Sequence, residues 1–240
     1  MPFWEQGELK IHYEEAGSGF PVLLFAPGGM HSTIEVWSRM PWNPIDVLSD
    51  HFRVIAMDQR NAGQSRGPIR GEDGWGTYTA DHVALLDGLG IDRCHVLGCC
   101  IGGSYGLGLI EAAPARVAGA VLVQPIGHSE ENREAFYAMF DAWANDLRPK
   151  RSEVSEADWA DFRARMYDGD FVFNVSRDFV RGVDHPLMIL MGDDLYHPEA
   201  ISREVADLAP RAQLVEEWKE GPAVQASAQQ VVEFLQAHTP

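Results

Sequence analysis

A chain of 240 residues can bury a full hydrophobic core without metal or disulfide staples. Its 36 Asp and Glu against 19 Lys and Arg leave a net charge of −17, which argues against nucleic acid and anionic membrane as partners, since both favour a basic surface. Cys94, Cys99 and Cys100 are an odd three with two adjacent, a pattern that fits a reducing cytoplasm better than a disulfide framework.

The opening residues Met1 to Glu5 carry no basic n-region or apolar h-region, so no signal peptide is expected, and no apolar run approaches the length of a membrane span. From Glu8 to Glu15, Leu9, Ile11 and Tyr13 alternate with Lys10, His12 and Glu14, the period of a half-buried strand. The run from Pro21 to Phe25 is continuously apolar, as in a strand buried on both faces, and it ends in the loop Ala26-Pro27-Gly28-Gly29-Met30-His31. A second buried strand, Phe52 to Met57, leads into Asp58 to Ser65. Tyr78 to Leu89 reads as a helix capped by Thr79 or Asp81 and stopped by Gly90.

The stretch Cys94 to Gly103 is the centre of the chain. A β-prone run, Cys94 to Leu97, meets Gly98-Cys99-Cys100-Ile101-Gly102-Gly103 and then the helix-like Ser104 to Ala113. This is G-x-C-x-G, the pattern of a nucleophile elbow with Cys in place of the commoner Ser. A sharp strand-to-helix turn needs neighbours without Cβ atoms. The free N–H groups and positive dipole end of the following helix favour a thiolate at Cys100.

Another buried run follows at Ala118 to Val123. Ser129 to Val183 is rich in charge and aromatics, with helical spacing over Glu131–Leu147 and Glu156–Met166, and reads as an inserted helical cap. The strand pattern returns over Pro186–Met191, followed by Gly192 to Pro198, a helix from Pro198 to Leu208, a strand over Gln213–Glu217 and a helix over Ala223–Ala237. The alternation predicts an α/β fold, a mostly parallel, doubly wound sheet. Its core spans 1–128 and 184–240, and the cap spans 129–183.

These motifs resemble the α/β-hydrolase family over nearly the whole chain. Four signatures stand in the family's order: the oxyanion loop Pro27-Gly28-Gly29 with Trp37 beyond it, the D-x-R-G-x-G-x-S-like stretch Asp58 to Ser65, the elbow Gly98 to Gly102, and Asp194 four residues before Pro198. A Cys nucleophile on this fold is similar to that of the dienelactone hydrolases, whereas the cap and the Asp58–Ser65 stretch resemble the esterase and C–C hydrolase branch. The resemblance implies Cys100 as nucleophile, Asp194 as the acid that orients an imidazole, and the N–H groups of Gly29 and Ile101 as the oxyanion hole.

Three departures stand out. Pro27 replaces the usual His, and Cys100 replaces Ser. The family's catalytic His belongs after the last strand, where this chain reads Val215 to Pro222 without any His. Three His remain on loops at the C-terminal edge of the strands: His31, His128 and His197. Of these, His128 is the candidate base. A Cys at a helix N-terminus can also be thiolate unaided, which would leave an acyl-enzyme with no group to activate water.

The expected function is a cofactor-independent, cytoplasmic hydrolase of an ester, lactone or thioester of a small, partly apolar substrate. The alternatives are a non-catalytic small-molecule binding protein on a hydrolase scaffold, or a Cys-dependent isomerase or lyase. The aromatic and Met-rich residues from Phe136 to Phe173 either roof an apolar pocket, form the cap's own small core, or do both.

Overall fold

The computed structural model describes residues 2–240; Met1, which opens the stretch read for a signal peptide, lies outside them. Eight strands form one sheet: β1 (Phe3–Gln6), β2 (Leu9–Ala16), β3 (Pro21–Phe25), β4 (Arg53–Met57), β5 (Cys94–Cys99), β6 (Val117–Val123), β7 (Leu187–Leu190) and β8 (Ala212–Val215). Their spatial order is β1-β2-β4-β3-β5-β6-β7-β8. The β1–β2 and β2–β4 pairings are antiparallel, and every pairing from β4 through β3 to β8 is parallel.

The helices are α1 (Pro44–Ser49), α2 (Trp75–Gly88), α3 (Ile101–Ala112), α4 (Arg133–Leu147), α5 (Glu156–Tyr167), α6 (Arg177–Arg181), α7 (Glu199–Leu208) and α8 (Pro222–Ala237). No helix among the described residues is long and apolar enough to cross a membrane.

The strand order reverses between β3 and β5: the chain leaves β3 for β4 on one side, then returns past β3 to β5 on the other. Such a switch point opens a crevice at the carboxyl ends of the strands, where ligands bind in open α/β sheets. The two loops that border it are the glycine loop after β3 and the Cys100 turn after β5. The apolar runs bury as expected, with every residue of β5 and β6 inside.

Element edges differ from the expectation in instructive ways. Helix α2 begins at Trp75, ahead of Tyr78, because the chain turns at Gly74 and the Thr77 side chain closes back on the Gly74 N–H at 3.3 Å. Thr79 and Asp81 therefore do not cap. Thr79 donates to the Trp75 carbonyl, and Asp81 holds Arg60 through two hydrogen bonds of 2.7 and 2.5 Å. The last strand is shorter than expected and ends at Val215.

Between β6 and β7 the described residues form no strand; α4, a short 3-10 helix at Arg148–Lys150, α5 and α6 fill the segment. The aromatic side chains of this segment pack on one another: Phe140 meets Phe162 at 5.2 Å between ring centroids, Trp143 meets Trp159 at 5.8 Å, and Phe136 stacks on Tyr167 at 5.2 Å. The segment is also tied to the sheet layer. Trp75 Nε1 donates to the Met166 carbonyl at 2.7 Å, Ser104 Oγ to the Val172 carbonyl at 2.9 Å, and Trp143 Nε1 to the Asn61 carbonyl at 3.1 Å. Asn61 stands where the resembling motif has Gly, and its φ of 58° suits both residue types. Its side-chain oxygen repays the substitution by accepting from the Gly67 N–H and from Arg151 Nη2.

Candidate active site

Cys100 sits between β5 and α3 with φ 59° and ψ −120°. That conformation is costly for a residue with a side chain, by about 1–3 kcal/mol, and persists only where the surroundings over-determine it. Here they do. The Cys100 N–H donates to the Val123 carbonyl at 2.9 Å, and the Cys100 carbonyl accepts from Gly103 at 3.0 Å and Ile126 at 3.3 Å.

The flanking glycines are required by close approach. A Cβ on Gly98 would stand 1.9 Å from the Gly102 carbonyl oxygen, and one on Gly102 would stand 2.2 Å from that of Phe25. Both obstacles are backbone and cannot swing aside. Gly102→Ala is therefore expected to destabilise the protein by about 1–3 kcal/mol or more, seen as a lower urea midpoint at unchanged slope.

The three thiols divide cleanly. Cys94 and Cys99 expose no surface, whereas Cys100 keeps 9%. Burial pushes the Cys94 thiol up to about 12 and Cys99 well above its ordinary value. Burial acts on Cys100 in the same direction, but the charge and hydrogen bonding of His197, with the N–H groups of Gly28 and Ile101, outweigh it and hold that thiol below its ordinary value.

His197 stands on the loop after β7. Its Nδ1 lies 2.8 and 2.9 Å from the two carboxylate oxygens of Asp194, so the carboxylate and the imidazole come from one turn. Asp194 Oδ1 also accepts the Tyr196 and His197 N–H groups at 2.9 and 3.1 Å, which fixes the carboxylate under the ring. The other ring nitrogen, Nε2, is buried and has no hydrogen-bond partner among the described residues, and the Cys100 thiol lies within electrostatic reach of the ring. Burial lowers the His197 pKa, but Cys100 and Asp194 together carry it up to about 9. Burial likewise raises the Asp194 carboxyl, and the His197 ring with the loop N–H groups more than reverses this. The neighbouring Asp193 turns away to pair with Lys219.

The remaining His are engaged elsewhere. His128, the expected base, has its Nδ1 3.5 Å from Asp170 and its ring beside Phe173; the imidazole that acts on the Cys100 thiol is that of His197. His31 faces Asp146 at 3.3 Å, and His12 faces Asp58 at 2.9 Å. His82 is bound to Gln59 at 2.8 Å, and burial pushes it down to about 3. The place where the resemblance puts the catalytic His is held by buried Trp218, whose Nε1 donates to the Met191 carbonyl at 2.7 Å.

Two backbone loops border the thiol. The N–H groups of Gly29 and Ile101 have no backbone acceptor among the described residues. The early-loop N–H that reaches the sulfur itself belongs to Gly28, one residue ahead of the expected Gly29. Gly29 has φ 56°, and Met139 of α4 lies over it, its Sδ 2.2 Å from where a Cβ would be. No group of three or more His, Cys, Asp or Glu among the described residues is placed to hold a metal ion.

The chain is similar to known proteins in sequence and in fold. The family described as the alpha/beta hydrolase fold matches residues 21–181. A protein named "Putative carbamate hydrolase RutD" from Variovorax paradoxus (strain S110) is 32% identical over 138 residues, 56% of this chain and 51% of that protein. The soluble epoxide hydrolase of Corynebacterium sp. (strain C12) is 38% identical over 96 residues, 40% of this chain and 31% of that one. The chain thus matches about half the length of the first relative and less of the second. Among solved structures, the enol-lactonase from Burkholderia xenovorans LB400 superposes with a TM-score of 0.74 at 22% identity, covering 98% of this chain and all of its own. That likeness is one of fold.

Proposed function

Because the chain belongs to the alpha/beta hydrolase fold family, we propose that it hydrolyses an ester, lactone or thioester of a small, partly apolar substrate through Cys100. The observation that carries this reading is the His197 ring, bound to Asp194 through Nδ1, with its buried Nε2 unpartnered among the described residues and the Cys100 thiol in electrostatic reach. The hydrolase names of its partial relatives support the same class of reaction.

In this reading the resting site is a thiolate–imidazolium pair. The thiolate adds to the substrate carbonyl carbon, and the oxygen that gains the electron pair is held by the N–H groups of Gly29 and Ile101, each such donor contributing about 3–4 kcal/mol to the transition state. The tetrahedral intermediate collapses, the bond to the leaving group breaks, and His197 gives that group its proton. Neutral His197 then takes a proton from water, the hydroxide adds to the thioester, and the acid leaves as the thiolate is restored. Asp194 keeps the ring in the tautomer that each transfer needs. The helices between β6 and β7 act as a cap, with Met139 and the aromatic side chains excluding water.

The pH dependence of alkylation tests the pair. Iodoacetamide is expected to modify Cys100 ahead of Cys94 and Cys99, with a midpoint below the ordinary thiol value of about 8.5. A second inflection is expected near pH 9, where His197 loses its proton and the thiolate its counter-ion. A single midpoint in the ordinary thiol range would count against the pair.

A further inference from the structure

The interior beside Cys100 holds three phenol groups that the reaction above does not use. Tyr78, Tyr105 and Tyr167 are 1%, 1% and 0% exposed. None of their hydroxyls has a hydrogen-bond partner among the described residues. The rings form one cluster: Tyr78 stacks on Tyr105 at 5.2 Å, and Trp75 presents an edge to Tyr105 at 5.4 Å and to Tyr167 at 6.3 Å. Tyr105 and Tyr167 both lie within electrostatic reach of the Cys100 sulfur.

A buried, unpaired hydroxyl is destabilising, and Phe would fill the same space without that penalty. Three in one cluster, next to a nucleophile, point to a ligand that supplies the missing acceptor. Burial raises all three phenol pKa values, so they remain protonated donors. The cation that acts on Tyr78, Arg60, is already held by both oxygens of Asp81 and by the Pro68 carbonyl. With no free positive charge supplied there, a neutral acceptor fits better than a carboxylate.

We propose that Tyr78, Tyr105 and Tyr167 form a hydrogen-bond donor subsite for a second, neutral carbonyl oxygen in the acyl part of the substrate. The preferred substrates are then oxo-acyl esters or lactones rather than plain aliphatic ones. The proposal rests on Cys100 being the nucleophile, and it adds three specificity-determining residues to that site.

Two matched pairs of probes test it: p-nitrophenyl 4-oxopentanoate against pentanoate, and 5-oxohexanoate against hexanoate. In each pair a ketone replaces a methylene. The wild type is expected to favour at least one oxo ester by about tenfold or more in kcat/KM, as a site built for a polar group discriminates against its apolar analogue. Tyr105→Phe and Tyr167→Phe should bring that ratio toward one while the Tm holds or rises, a combination that a purely structural role does not produce. A ratio near one for both pairs in the wild type, or a ratio unchanged in all three Tyr→Phe variants, overturns the subsite.

Calorimetry on Cys100→Ala separates the subsite from the chemistry. Methyl 4-oxopentanoate or 5-oxohexanoate binding at least fivefold tighter than its plain counterpart supports the subsite even if no ester acylates Cys100. Equal binding within both pairs overturns it, even if acylation is normal.

Discussion

Cys100→Ala is expected to lower kcat for a p-nitrophenyl ester by about 10⁴–10⁶-fold, the scale on which loss of a covalent nucleophile acts when its base and oxyanion donors remain. The substitution removes one sulfur from a site that is already slightly open. It leaves untouched the backbone hydrogen bonds to Val123, Gly103 and Ile126 that hold the turn. Stability should therefore change by no more than about 1 kcal/mol, and an intact urea transition alongside lost turnover separates chemistry from folding. Cys94 and Cys99 are internal controls. Their thiols are buried and held protonated, and replacing either with Ala should leave the ester rate within a few-fold.

His197→Gln is expected to cost about 10²–10⁴-fold in kcat/KM, the range for removal of a positioned general base. Gln can still reach Asp194, so the loop after β7 keeps its shape. It cannot carry a proton from the thiol to the leaving group, nor take one from water. The effect on the thiol has a definite sign. The His197 charge is the leading influence that holds Cys100 low against burial, so without it burial prevails and the thiol pKa rises. The alkylation midpoint of His197→Gln should move upward, and the inflection near pH 9 should vanish. His128→Gln is the matching control. Its ring faces Asp170, and neither rate nor midpoint should move by more than about twofold.

The place of His197 beside Cys100 is not legible in the sequence, for a physical reason. Hydrophobic periodicity and turn chemistry report on neighbours along the chain, and they locate β3, β5, β6 and β7 because those strands are apolar on both faces. The elbow is legible for a related reason, since the close approaches at Gly98 and Gly102 leave room for glycine alone. The approach of His197 to Cys100 joins loops after two strands that are separated in the sheet by β6, and periodicity along the chain does not encode such a pairing.

One local signal was available. Asp194 and His197 are three residues apart in a turn whose N–H groups point back at the carboxylate, which lets a single loop supply both acid and imidazole. The position after the last strand, where the resemblance puts the His, is filled by buried Trp218. The oxyanion loop shows a second limit. Backbone N–H donors carry no side-chain identity, so residue type alone does not say that the Gly28 N–H reaches the sulfur while the Gly29 N–H stays without a backbone acceptor among the described residues. The short strand β1, with three of its four residues exposed, and the six-residue α1 offer no periodicity to read.

The missing His is the ground for a non-catalytic scaffold, and in the proposed reading the His197 imidazole near the thiol answers it. The same imidazole changes the expected kinetics. A thiolate without a base would acylate once and stall, whereas Cys100 with His197 and Asp194 should turn over.

The most direct test is the intact mass of the protein during reaction with p-nitrophenyl acetate, followed together with nitrophenol release and with peptide mapping of any adduct. The account predicts a single acetyl group on Cys100 that appears within the first turnover and disappears when ester is exhausted, while nitrophenol forms steadily. In His197→Gln the adduct should form slowly and persist. No adduct on Cys100, with nitrophenol release unchanged by Cys100→Ala, would contradict the account at its centre.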